Sequence, residues 1–175
     1  KAGLATLLMD LLTADEERID EFTRELRFDI GLLARRVAQV VEWSRERAVL
    51  QDLAVGLFGA STGAAAALVA AAELPAGAVQ AVVSRGGRPD LAGAALPRVR
   101  CPSLLIVGGD DDVVIGLNEQ ARDRMRCGVE MVIVPGATHL FEEPGTLEQV
   151  ADLAAGWFTR HLGTAGGHMP PRARS

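Results

Sequence analysis

Four short apolar runs, each ending in glycine, constrain this chain more than any other feature. They are "LAVGLFG" (53–59), "AVQAVVSRGG" (78–87), "PSLLIVGG" (102–109) and "VEMVIVPG" (129–136). None shows the sustained apolar–polar alternation of a strand with one wet face. Helix-patterned segments follow the first run (62–73), the third (116–126) and the fourth (146–162), and "PDLAGAAL" after the second reads as a weaker helical turn. Fully buried strands separated by helices predict an α/β fold: a mostly parallel sheet with helices on both faces. A fifth run, "LATLLMDLL" (4–12), reads as one more buried strand by length and apolarity. Between it and the others, "TADEERIDEFTRELRFD" reads as an acidic surface excursion with some helix. From Asp29 the spacing of Ile30, Leu33, Ala34, Val37, Val40 and Val41 predicts a helix with one buried stripe. Asp29 is placed as its N-cap, and arginines gather towards its C-terminus.

Composition narrows the partners. At 175 residues, 49% hydrophobic and 23% charged, the chain fits one soluble globular domain. A formal net charge of -5 gives no reason to expect nucleic acid or an anionic membrane. The alanine-rich run after residue 62 stops at Glu73, short of the roughly 20 apolar residues of a membrane span. Cys101 and Cys127 make no disulfide framework, so a reducing cytoplasm is expected. The chain opens on Lys1 and enters an apolar run almost at once, which leads us to expect missing upstream sequence and an N-terminally truncated domain over 1–162. The end, "GTAGGHMPPRARS" (163–175), has the composition of a disordered tail.

Ligands of a doubly wound sheet gather beyond the carboxyl ends of its strands, and three segments put distinctive polar groups there. In "GASTG", Ser61 stands on a strand-to-helix turn between Gly59 and Gly63. Such a turn exposes a nucleophile, and the backbone N–H of Thr62 opens the next helix, where it can meet an oxyanion. Close packing of strand and helix accounts for the same glycines. In "GGDDDVVIG" an acid can orient a histidine, although three adjacent aspartates leave the choice open and at least one must turn to solvent. A helix-cap cluster and a metal site are the other readings; no histidine or glutamate lies at close ligand spacing, so no metal is expected. In "PGATHLFEEPG", His139 is the one histidine outside the C-terminal region, where His161 and His168 lie. Imidazole titrates near neutrality and suits general-base work. Taken together, the order Ser, Asp, His, each after a strand, points to a triad.

With these motifs the sequence resembles the α/β-hydrolase superfamily. "GASTG" is similar to its Gly-x-Ser-x-Gly elbow, and "VPGATHLFEEPG" to the loop bearing the triad histidine. "LLIVGGDDDVV" resembles the stretch where glycine precedes the acid by three residues and valine follows by three; Gly108, Asp111 and Val114 fit, which selects Asp111 over Asp110 and Asp112. The short chain between elbow and acid resembles the dienelactone-hydrolase-like group. "ATLLMDLLT" and "GASTGAAAALVAAAE" are similar to versions joined to a phosphoribosyltransferase domain. The likeness runs from about residue 3 to 162.

The resemblance implies catalytic Ser61, Asp111 and His139, an oxyanion donor at Thr62, elbow glycines Gly59 and Gly63, and no cofactor. It implies a serine hydrolase acting on small ester-like substrates, carboxylic esters or thioesters, with a fused phosphoribosyltransferase domain as a partner. It departs from dienelactone hydrolases proper, which carry cysteine at the elbow, so the dienelactone substrate is not carried over. The group also places strands and an oxyanion loop ahead of residue 4. Two other readings stand beside it. One is a catalytically silent module that binds or regulates an attached enzyme domain. The other is a nucleotide-binding fold with "GLFGASTG" as phosphate turn, disfavoured because no acidic residue suited to a ribose follows about 20 positions on. "SRGGRPD" (84–90) follows a strand and could line the pocket with Arg85 or Arg88, but a solvated loop is the preferred reading; Trp43 and Trp157 read as packing residues.

Overall fold

In the computed structural model, which describes residues 2–163, the four runs form four strands. They are β1 (Gly56–Ala60), β2 (Ala81–Arg85), β3 (Ser103–Gly108) and β4 (Val129–Val134). All pair in parallel, in the order β1-β2-β3-β4. The register sets Ala60 beside Arg85, Arg85 beside Ile106 and Gly108 beside Val134, so the carboxyl ends share one rim. β3 is buried throughout and β2 up to Arg85, whereas the outer strands β1 and β4 are partly exposed. The expected tail from residue 164 onward lies outside the described residues.

Among the described residues five α-helices accompany the sheet: α1 (Ala14–Thr23), α2 (Ile30–Arg45), α3 (Thr62–Glu73), α4 (Asp112–Arg124) and α5 (Thr146–Leu162). On one face α5 sets Val150, Ala154 and Trp157 against Ala81, Val83, Leu104 and Ile106. On the other, α3 packs with Val82, with α2, and with a 3-10 segment at Pro89–Arg98. Helices therefore cover both faces. α3 buries seven alanines, Ala64 to Ala67 and Ala70 to Ala72, and their lack of bulk lets it lie between sheet and α2. Asp29 caps α2 as expected, its carboxylate accepting the Leu32 N–H at 2.8 Å, and Leu33, Ala34, Val37 and Val41 form the buried stripe. α4 begins one turn earlier than the apolar spacing suggested.

The strand expected at 4–12 is absent. Residues 4–10 are exposed and adopt no regular structure, with Leu8 89% exposed. A strand requires a ladder partner, and among the described residues no strand adds to the outer edge of β1. Leu11 and Leu12, half-buried, pack against apolar residues of α2 and α3. Trp43 also departs from its expected packing role: it is exposed, with the Arg47 guanidinium 4.8 Å from its ring centroid. Trp157 is buried. Both cysteines are free, and burial pushes the Cys101 thiol up to about 11. Among the described residues no helix is long and apolar enough to cross a membrane.

Candidate active site

Ser61 links β1 to α3 with φ 50° and ψ −123°, a conformation rarely adopted by residues other than glycine. Such a turn costs on the order of 1–3 kcal/mol and persists because its surroundings over-determine it. The Ser61 N–H donates to Arg85 O at 3.4 Å, while Ser61 O accepts from Ala64 N–H at 3.2 Å and Arg88 N–H at 3.1 Å. The two elbow glycines are not equivalent. A Cβ on Gly59 would lie 2.4 Å from Gly63 O, so strand and helix meet there backbone to backbone. A Cβ on Gly63 would meet only the Leu11 side chain, at an ordinary 3.6 Å. Thr62 is the first residue of α3, and its N–H is among those of the first turn that have no intrahelical acceptor.

Asp111 and His139 come together. The Nδ1–H of His139 faces Asp111 Oδ2 at 2.7 Å, a short charge-assisted hydrogen bond. That bond fixes the ring tautomer and leaves Nε2 with a free lone pair. Asp111 precedes α4, half-buried, while Asp110 and Asp112 are exposed, as mutual repulsion of three carboxylates demands. Close approach of the two loops depends on Gly108, where a Cβ would lie 2.4 Å from Ala137 O and 2.6 Å from Thr138 O. Asp110 N–H then donates to Ala137 O at 3.0 Å. The histidine loop is pinned internally as well. Glu143 accepts from the Thr138 hydroxyl at 2.6 Å and the Thr138 N–H at 3.1 Å; the hydroxyl bond first, with the backbone bonds, holds the Glu143 carboxyl below its usual range. Phe141, two residues past His139, is fully buried with φ 58°.

Ser61 and His139 stand on the same rim without a hydrogen bond between them among the described residues. What joins them is the end of β2: Arg85 O receives the Ser61 N–H, and the adjoining Gly86 lies against His139. Catalytic hydrogen bonds are often long in ligand-free sites and tighten with substrate. His161 is elsewhere, near the end of α5 with its ring centroid 4.2 Å from that of Trp157; His168 lies outside the described residues. Sequence reasoning used Gly108 only for the spacing of the acid motif and read Arg85 as part of a solvated loop; it missed the contacts each makes. Gly108 closes β3 and Arg85 closes β2, but only the spatial neighbour of each gives it meaning.

A sequence profile described as the Dienelactone hydrolase family matches residues 8–160. Two curated relatives from Mycobacterium tuberculosis, strains CDC 1551 and H37Rv, carry names that propose a phosphoribosyl transferase. Each is 58% identical over 161 residues, which is 92% of this chain and 35% of the relative. The chain thus spans about a third of their length. A crystal structure of a dienelactone hydrolase from Anabaena variabilis is 60% identical with a TM-score of 0.88, covering 93% of this chain and 74% of that one. The esterase domain of a Rhodothermus marinus protein is similar in fold alone, at 24% identity and a TM-score of 0.55, over 62% of this chain and 61% of that one. The chain belongs to the dienelactone hydrolase family.

Proposed function

We propose that this domain is a serine hydrolase acting on small carboxylic esters or thioesters. Ser61 Oγ attacks the acyl carbon while His139 Nε2 takes its proton, and Asp111 stabilises the imidazolium that forms. The Thr62 N–H donates to the oxyanion. Collapse breaks the bond to the leaving alcohol or thiol, which receives its proton from His139. Water, deprotonated by the same nitrogen, then releases the acid and restores Ser61. The reaction uses no cofactor.

The observation that supports this reading most is the 2.7 Å contact between Asp111 and His139, on the rim that also carries the strained Ser61 turn. A fluorophosphonate probe tests it. Labelling is expected at Ser61 of the wild-type chain and lost in Ser61→Ala; labelling that survives the substitution sinks the assignment.

A second reading, a silent module serving an attached enzyme domain, draws on two observations. Ser61 and His139 share no hydrogen bond, and the chain spans 35% of relatives whose names propose a phosphoribosyl transferase. On that reading a fused phosphoribosyltransferase domain is the partner, and Ser61 stays unlabelled in the whole polypeptide as well.

A further inference from the structure

The corner "SRGGR" (84–88) has no part in the chemistry above, and by sequence it reads as solvated. In the folded chain it touches all three segments that carry the site. Both backbone groups of Ser61 bond to it, the N–H to Arg85 O at 3.4 Å and the O to Arg88 N–H at 3.1 Å. The histidine loop meets it from the other side. Arg85 Nη1 donates to Leu140 O at 3.0 Å, its guanidinium stands 5.6 Å from the centroid of the Phe141 ring, and a Cβ on Gly86 would lie 2.9 Å from His139 O. α4, which starts directly after Asp111, reaches it through the buried Asn118, whose Nδ2 donates to Gly87 O at 3.0 Å.

Arg85 is the residue that spans the gap with both its parts. Its carbonyl holds the nucleophile turn and its side chain holds the histidine loop. No carboxylate pairs with this guanidinium among the described residues; its neighbour Arg88 is paired with Asp90 at 2.8 Å. A guanidinium spent on a neutral carbonyl and an aromatic face acts as a spacer of set length.

We propose that Arg85 is a positioning residue that sets His139 relative to Ser61, resting on the reading that these two act together. A shift of about 1 Å in such a pair costs up to a hundredfold in rate. The experiment compares the full chain with Arg85→Met and Arg85→Lys, each checked for folding by thermal melting. Three quantities are read: the fluorophosphonate labelling rate at Ser61, kcat and KM for p-nitrophenyl acetate, and the low-field proton NMR signal of His139 Nδ1–H. In the Met variant, labelling and kcat are expected to fall about tenfold to a hundredfold with KM held within about twofold. The low-field signal is expected to broaden or vanish. The Lys variant keeps a donor for Leu140 O and should regain most of both.

Unchanged kcat and signal in the Met variant overturn the proposal. So does a rise in KM alone, which assigns Arg85 to an anionic group of the substrate. An unlabelled wild-type Ser61 removes the hydrolase reading by itself. In that event the Nδ1–H signal decides: loss in Met with return in Lys supports the tie, and persistence in Met refutes it. Should the Met variant not fold, Arg85→Gln, shorter but polar, takes its place with the same expectations.

Discussion

A carboxylate 2.7 Å from an imidazole nitrogen governs what that ring can do. The Asp111 oxygens only accept, so the proton is held on Nδ1 and the basic lone pair points away from the acid. An amide in place of the carboxylate can present its NH2 group to Nδ1 and favour the opposite tautomer. Asp111→Asn is therefore expected to lower kcat by about four orders of magnitude, the loss that a wrong tautomer causes in a serine triad, while leaving the fold intact. Steady-state hydrolysis of p-nitrophenyl acetate beside a thermal melt measures both. Activity within about tenfold of wild type would show that Asp111 does not serve His139 in this way.

Elements meet in this fold through missing side chains as much as through present ones. β1 and α3 touch at Gly59, whose absent Cβ would sit 2.4 Å from Gly63 O and 2.7 Å from the Ala64 Cα. Backbone atoms cannot swing aside as a flexible side chain does, so the contact is relieved only by moving helix against strand. Gly59→Ala is expected to destabilise the chain by about 1–3 kcal/mol, the usual cost of overpacking, read from urea unfolding. It should also slow probe labelling at Ser61, because the displaced helix carries Thr62 and the elbow together. Gly63→Ala, facing only Leu11 at 3.6 Å, is the control expected to cost less. Equal effects at the two positions would contradict the geometry.

At the scale of the whole molecule, α1 is attached by charge rather than by a core. Arg36 on α2 donates to both Glu16 oxygens at 2.7 Å and also to Leu11 O at 2.6 Å, drawing the N-terminal segment onto the body. The Arg36 bonds first, and then the Thr13 backbone bond, lower the Glu16 pKa from 4.5 to about 2. The unfolded chain binds this proton more readily, so the pair's contribution is complete above about pH 4.5 and is lost as pH falls through about 2. Glu16→Gln should lower the urea midpoint at neutral pH and flatten its decline between these limits. A parallel decline in both proteins would show that Glu16 has no part in acid stability.

The periodicity of the chain by itself located the four strands and the spans of α3 (62–73) and α5 (146–162); burial on both faces accounts for the continuous apolar runs of β2 and β3. The Asp29 cap was likewise legible, since a cap acts within a few residues of itself. Legibility ended where a partner distant in sequence was required. "LATLLMDLL" has the apolarity of a strand, but only a free sheet edge placed beside it turns such a run into one. The contact of Asp111 with His139, the approach at Gly108 and the bridge from Arg85 to Leu140 belong to tertiary structure alone. Hydrogen bonds and backbone contacts act over a few ångströms, and the chain brings residues that near only when the sheet aligns their strands.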